Sequence, residues 1–345
     1  MIVVEPCAYK VGTNVYAKRL CDALGSKQKL TRSILDVVQP TSKIWFILRF
    51  IILYLRVWRL QRLHDCAVFF LSVEPTAFPI LFYFLPFRQK CFVKVGGYEF
   101  RISDTVGLKN WLIKLRVLCW RLIPNTIKIT ETKHVEERLK LIGIKNVVNL
   151  FHPVDGEIGE TSTGMNLEKP KILYFGHRPI NDKNTQLILD LAKFQLDYQI
   201  YIAGYEEDLT IDTIITDYIE THDLENITYK NQQVSELEKF NLFKACDVVV
   251  LPYKKAYDGG SGVFFDAVKF GCKVVASNVG EFPTLLSDEV LGATFTADDL
   301  GSLVEALKKI GEKDVRNELY ENSRSQIFQN RSFDKFAAKI LELTG

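Results

Sequence analysis

The sequence predicts an α/β protein built from two doubly wound domains with parallel sheets. Three observations carry this. Short apolar runs alternate with helix-patterned segments along the whole chain. Several runs, such as Val248–Leu251, are continuously apolar rather than alternating, as strands buried on both faces are. One polar, glycine-containing stretch, "DGEIGETSTGMNLEKP" at 155–170, interrupts the rhythm before a new strand begins at Lys171. A chain of 345 residues, 47% hydrophobic, suffices for two ordinary cores. The expected organisation is one domain over 1–154, a linker over 155–170 and a second domain over 171–325.

In chain order, strands are expected at 1–5, 67–72, 91–95, 126–130 and 147–151, then at 171–175, 199–203, 247–251 and 273–276. Helices fit between most of them, including 14–25 and 131–143, each closed by a glycine. Parallel strands need right-handed crossovers, which place a ligand crevice outside the carboxyl ends of the strands. No internal repeat or low-complexity tract is visible.

Composition narrows the function classes. The seven cysteines are scattered, mostly in apolar runs, and form no C-x-x-C pair, which points to a reduced, cytoplasmic protein without a zinc site. The start, "MIVVEPCAYK", lacks a basic region and a long apolar region, so no signal peptide is expected. The net charge of +2 divides unevenly. Residues 1–150 hold 24 Lys and Arg against 10 Asp and Glu, and the remainder is correspondingly acidic. A basic half of this kind suits a polyanion or an anionic membrane.

The segment "KIWFILRFIILYLRVWRLQRL" at 43–63 bears on that choice. Arg49, Arg56, Arg59 and Arg62 interrupt it, so no charge-free run reaches the roughly 20 residues of a spanning helix. On a helical wheel Arg49, Arg56 and Arg59 lie within about 80° of one another, with Trp45 and Trp58 beside a broad apolar face. Residues 109–124 repeat this character. Basic amphipathic helices with tryptophan suit a membrane interface. The competing reading makes both core helices with arginines reaching the surface. Nucleic acid is not expected, because the aromatics are embedded among aliphatics rather than set on a polar face.

Motifs then limit the chemistry. There is no G-x-G-x-x-G after either opening strand, which removes the main support for a dinucleotide oxidoreductase. Nor is there a P-loop. The first loop of each half is nevertheless suited to an anion. Gly12 precedes the helix expected from Asn14, and Gly176, Arg178 and Lys183 precede the helix after 171–175. After the strand at 247–251 comes Asp258, then Gly259, Gly260, Ser261 and Gly262, then Val263 and Asp266 in a helical pattern. A glycine-rich strand-to-helix loop leaves backbone N–H groups facing an anion. The alternative for either aspartate is a loop acid capping the adjacent helix.

Together these residues resemble the retaining, family 4 type glycosyltransferases of the GT-B fold, also described as glycosyl transferases group 1. Asp258 and Asp266 occupy the two acidic positions of that family's E-x7-E signature, and "FGCKVVASNVGEFPTLL" follows as its pattern does. Gly176, Arg178 and Lys183 match its G-R-x-x-x-x-K turn, with His177 inserted, and "VGTNVYAKRLCDAL" is similar to its first loop and helix. The resemblance covers residues 171–286 well and the first 150 in outline. It implies two facing Rossmann-like domains and a final helix, within 326–345, that packs back on the first domain.

The resemblance also implies roles. Asp266 would accept hydrogen bonds from the nucleotide ribose, and Asp258 from the donor sugar. Gly12, Gly176 and the loop Gly259, Gly260, Ser261, Gly262 and Val263 would meet phosphates and sugar. Arg178 and Lys183 would offset charge on the leaving diphosphate in place of a metal ion. Aspartate for glutamate shortens each acidic arm by one methylene, about 1.5 Å. The family's sugar-pocket histidine has no counterpart at the end of "CFVKVGGYEF". Gly97, Tyr98 and Glu99 stand there as the acceptor-side candidates. His64 and His152 read as structural. Asn231, Gln232 and Val234 are the candidates for the base pocket. The expected protein is a metal-independent glycosyltransferase with no cofactor beyond its co-substrate, a nucleoside diphosphate sugar. It would act on a glycan or lipid-linked glycan in surface polysaccharide (lipopolysaccharide-type) assembly, peripherally on the inner face of the membrane. A nucleotide-sugar epimerase of related fold and a non-catalytic nucleotide-sugar-binding subunit are the alternatives.

Overall fold

The computed structural model describes residues 1–8, 11–27, 30–36, 41–96, 108–123, 125–154, 171–177, 182–194, 197–206, 209–312 and 318–344. The chain divides into two compact units, Met1–Pro153 with Arg331–Gly345, and Val154–Asn330.

The first unit alternates β1 (Ile2–Glu5), α1 (Val11–Ser26), β2 (Arg32–Leu35), α2 (Lys43–His64), β3 (Val68–Phe70), α3 (Ala77–Phe84), β4 (Cys91–Lys94), α4 (Leu108–Arg121), β5 (Thr126–Thr130), α5 (Lys133–Leu141) and β6 (Val147–Asn149). Its six strands pair in the order β2-β1-β3-β4-β5-β6, all parallel. Period-two alternation sends β1 side chains to two different cores. Ile2 and Val4 pack with Phe50, Tyr54 and Val57 of α2 and Phe78 of α3. Met1 and Val3 pack with Leu20 and Leu24 of α1 on the opposite face.

The second unit contains β7 (Lys171–Phe175), α6 (Thr185–Phe194), β8 (Gln199–Ala203), α7 (Leu209–His222), β9 (Ile227–Lys230), α8 (Glu236–Ala245), β10 (Val248–Leu251), α9 (Gly262–Lys269), β11 (Lys273–Ser277), α10 (Phe282–Leu285), β12 (Gly292–Phe295), α11 (Leu300–Glu312) and α12 (Glu318–Asn330). Its parallel order is β12-β11-β10-β7-β8-β9. The chain direction across this sheet reverses between β7 and β10, which is where open α/β sheets place their ligands. The last helix, α13 (Phe333–Glu342), returns to the first unit. There Phe333 meets Tyr16 edge to face at 5.3 Å and Phe336 stacks on Phe69. Of the segment 326–345, residues 326–330 therefore stay with the second unit, inside α12.

Every strand expected from the sequence is present. Three strands were not expected: β2, β9 and β12. All three lie at sheet edges. With one side of the ladder unpaired and part of their surface exposed, they need fewer apolar residues, and "RSIL", "ITYK" and "GATF" carry too few to stand out. The helix expected at 131–143 closes on Gly143 as its pattern indicates. Gly143 has φ +81°, its N–H donates to Lys140 O, and Ile144 N–H donates to Leu139 O. The helix expected at 14–25 instead starts at Val11 and runs through Gly25 to Ser26. Gly12 thus lies in the first turn of α1, not before it.

Candidate functional site

The reversal point of the second sheet is assembled from glycines, one lysine and a short helix. β7 ends at Phe175, and Gly176 follows with φ +90°. A Cβ on Gly176 would lie 3.4 Å from Val263 Cγ2 and 3.9 Å from Lys183 Nζ, so the connection after β7 and the start of α9 share one spot. Gly204, at φ +122° after β8, brings its backbone so near that a Cβ would stand 2.8 Å from Gly176 Cα. Only glycine permits both the conformation and the approach. Lys183 is 5% exposed, and its ammonium donates to Phe175 O at 3.2 Å beside the rings of Tyr174 and Tyr253. A buried cation thus sits at the carboxyl end of β7.

The loop after β10 faces the same point. Asp258 is 4% exposed. Tyr253 and Tyr257 stack at 3.9 Å beneath the loop; the Tyr253 hydroxyl donates to Ser261 Oγ at 3.1 Å, and the Tyr257 hydroxyl donates to Gly260 O. From the side, Gly280 at φ +58° packs so closely that a Cβ would fall 2.5 Å from Gly259 O. The loop is therefore held by an aromatic pair and by a turn that only glycine can make. Ser261 is the N-cap of α9, but its side chain makes no cap bond to the helix. Gly262 opens that helix.

Asp266 lies in the second turn of α9. It is half-buried and pairs with Lys239 of α8, whose Nζ is 3.4 Å from Oδ1 and from Oδ2. Burial pushes its carboxyl pKa up, and Lys239 pulls against that. At the other end of α9 is a residue the sequence reading missed. Arg324 of α12 is fully buried; Nε donates to Val268 O at 2.8 Å, Nη2 to Lys269 O at 2.8 Å, and Nη1 to both Glu321 oxygens. Tyr320 adds a bond to Cys272 O. Lys239 thus contacts Asp266 itself, and Arg324 holds the carboxyl end of the helix that carries it.

The remaining candidates distribute as follows. Arg178, Gly97, Tyr98 and Glu99 lie outside the described residues. Asn231 is engaged in a turn: its Oδ1 accepts Glu206 N–H at 2.8 Å, and its Nδ2 donates to Glu206 O and Asp212 Oδ1. Gln232 is exposed and Val234 half-buried in the loop after β9. His177 pairs with the buried Glu206 at 3.0 Å. At the carboxyl ends of β4 and β5 in the first unit, Glu131 binds Lys94 at 2.8 Å and His152 Nδ1 at 3.0 Å. Burial alone would raise the Glu131 pKa. The two partners instead hold it well below the usual carboxylate range.

The basic helices bury one face and expose another. α2 buries Phe50, Leu53, Tyr54, Val57 and Gln61, and so contributes to the core. Its other face exposes Ile44, Trp45, Leu48 and Ile52 together with Arg56, Arg59 and Arg62. Arg49 does not join that face. It turns to Asp36, with Nε 3.2 Å from Oδ2 and a shorter contact from Nη2 to Oδ1. Trp58 is half-buried and donates to Pro86 O, with the Arg62 guanidinium 4.0 Å above its ring. α3 packs on α2 and α4 on α3, and they add exposed Tyr83, Phe84, Trp111 and Leu118. Trp45 is 58% exposed and Phe84 73%. Among the described residues no helix is long and apolar enough to cross a membrane.

Residues 169–313 match the family model described as Glycosyl transferases group 1. A tRNA-queuosine alpha-mannosyltransferase of Drosophila melanogaster is 27% identical over 227 residues, 61% of this chain and 54% of that protein. The chain thus spans about half the length of this curated relative. Among solved structures, a sucrose-phosphate synthase from Thermosynechococcus elongatus superposes with a TM-score of 0.77 at 14% identity, covering 99% of this chain and 97% of that one. HepE of Anabaena, in complex with UDP and glucose, gives 0.65 at 13% identity, covering 99% of each. At such identities the likeness is one of fold.

Proposed function

We propose that the chain, which has the GT-B fold and whose residues 169–313 match the glycosyl transferases group 1 model, transfers a sugar from a nucleoside diphosphate sugar to a hydroxyl of a glycan acceptor. The observation that carries this reading is the meeting of Gly176, Lys183 and Val263 at the β7/β10 reversal, with the Asp258 loop braced on the same end of the sheet. In this reading Lys183, with Arg178, neutralises the charge that builds on the departing diphosphate, so no metal ion is required. The first N–H groups of α9 add partial positive charge at the same place. Asp258 accepts hydrogen bonds from donor-sugar hydroxyls, and Asp266 from the ribose. Transfer proceeds with retention, in keeping with the family 4 resemblance.

The test is direct binding. With EDTA present, the protein should bind at least one of UDP, GDP and ADP by calorimetry. The Arg178→Ala, Lys183→Ala double variant should weaken it by tenfold or more, about 1.4 kcal/mol. A strict requirement for Mn²⁺ or Mg²⁺ would contradict the proposal, as would a double variant that binds like wild type.

We further propose that the acceptor is lipid-linked and that the exposed face of α2, α3 and α4 rests on an anionic membrane. Large apolar side chains there alternate with arginines, the pattern of an interfacial surface. Each basic group near an anionic leaflet contributes on the order of 1 kcal/mol, screened over about 10 Å at 0.1 M salt. The protein should therefore sediment with phosphatidylserine-containing vesicles and less with neutral ones. Changing Arg56, Arg59 and Arg62 to Glu should release it. Preference for tRNA over such vesicles at equal salt would replace this reading with a nucleic-acid acceptor.

A further inference from the structure

We propose that Lys239 is a positioning residue of the nucleotide site, holding the Asp266 carboxylate in the orientation that accepts the ribose hydroxyls. The inference rests on the donor-site reading above and extends it to a residue on a different helix.

The geometry carries it. The Lys239 ammonium is equidistant, at 3.4 Å, from both Asp266 oxygens, so it bridges the carboxylate and does not cap one end of it. A carboxylate has about four lone-pair sites, so a bridging cation leaves acceptor positions for two hydroxyls. The bridge is rigidly supported. A capping box of Ser235 and Glu238 fixes the start of α8. Further along, Phe240 meets Phe270 edge to face at 5.6 Å, Phe243 lies 5.5 Å from the same ring, and the Cys272 thiol donates to Phe243 O. α8 cannot slide along the segment that carries Asp266 without breaking these contacts. Lys239 itself keeps only 17% of its side-chain exposure.

Electrostatics point the same way. The charged groups facing Asp266 are Lys239 and Glu236 of α8 and Lys269 of α9. Burial and Glu236 favour the neutral acid. Lys239 is the strongest group opposing them. Without it the carboxyl should protonate at higher pH, and a protonated acid accepts fewer hydroxyl protons.

The experiment measures affinity for whichever of UDP, GDP and ADP the wild type binds best, together with its 2′-deoxy analogue. Lys239→Met should weaken the ribonucleotide about tenfold at pH 8 and further at pH 6, while Lys239→Arg restores most of the loss. Preference for ribose over 2′-deoxyribose should shrink in the same variant. In an Asp266→Asn background, Lys239→Met should have little additional effect, because the two residues act as one unit. This second comparison also serves if the single variant is poorly folded. If Lys239→Met lowers the unfolding midpoint but leaves affinity, deoxy discrimination and pH profile unchanged, the pair is structural and the inference is overturned. A wild type that binds none of the three nucleotides overturns the donor-site reading and this inference with it.

Discussion

Asp258→Asn is expected to lower the rate of sugar transfer by about 100-fold or more while leaving nucleoside diphosphate affinity nearly intact. The substitution preserves shape and removes charge from a side chain that is 4% exposed on a braced loop. The proposed contact is to the donor sugar, so the nucleotide should not register the change. Asp266→Ala should behave in the opposite sense, weakening the nucleotide itself. Measuring the dissociation constant and the transfer rate separately for both variants distinguishes the two roles. Wild-type transfer by both variants would mean that the donor site is elsewhere.

Arg324→Met is expected to destabilise the second unit by about 2–4 kcal/mol, the cost of leaving two backbone carbonyls without their charged donor. The change leaves the Val268 and Lys269 carbonyls and the Glu321 carboxylate without the guanidinium that binds all three. Because these carbonyls end α9, the loss should also loosen the helix that carries Asp266. Denaturant unfolding followed in the presence and absence of nucleotide is the appropriate measurement, since two units need not unfold together. A loss below about 1 kcal/mol would show that α12 does not act as a clamp.

The fold was legible in the sequence wherever strands are buried on both faces. Val248–Leu251 could be read because every residue is buried, whereas "ITYK" could not, because half of its residues face outward at a sheet edge. Of the candidate site, the run from Asp258 to Asp266 could be singled out because its residues are neighbours in the chain. The candidate site was not legible where the essential contact is tertiary. Lys239 sits one turn after Glu236 on an ordinary helix face, and such a pair reads as solvated. Arg324 lies in a polar helix, and nothing local marks it as buried. Arg49 shows the complementary limit. The helical wheel placed it with Arg56 and Arg59, but a wheel contains only one helix and could not include Asp36 after β2. Three glycines with close backbone approaches in the second unit differ in how far the sequence marks them. Gly280 stands within a recognisable motif, Gly204 directly follows the strand expected at 199–203, and Gly292 packs on Val274 at an edge strand that was not expected.

The most direct measurement is turnover of a nucleotide-sugar panel by the purified protein, with glycan and lipid-linked glycan acceptors and EDTA present. The account predicts that at least one UDP-, GDP- or ADP-sugar releases its nucleoside diphosphate, that the sugar appears on the acceptor with its anomeric configuration retained, and that Asp258→Asn lowers both signals by about 100-fold or more. Recovery of an epimerised nucleotide sugar, or tight donor binding with no transfer to any acceptor, would contradict it.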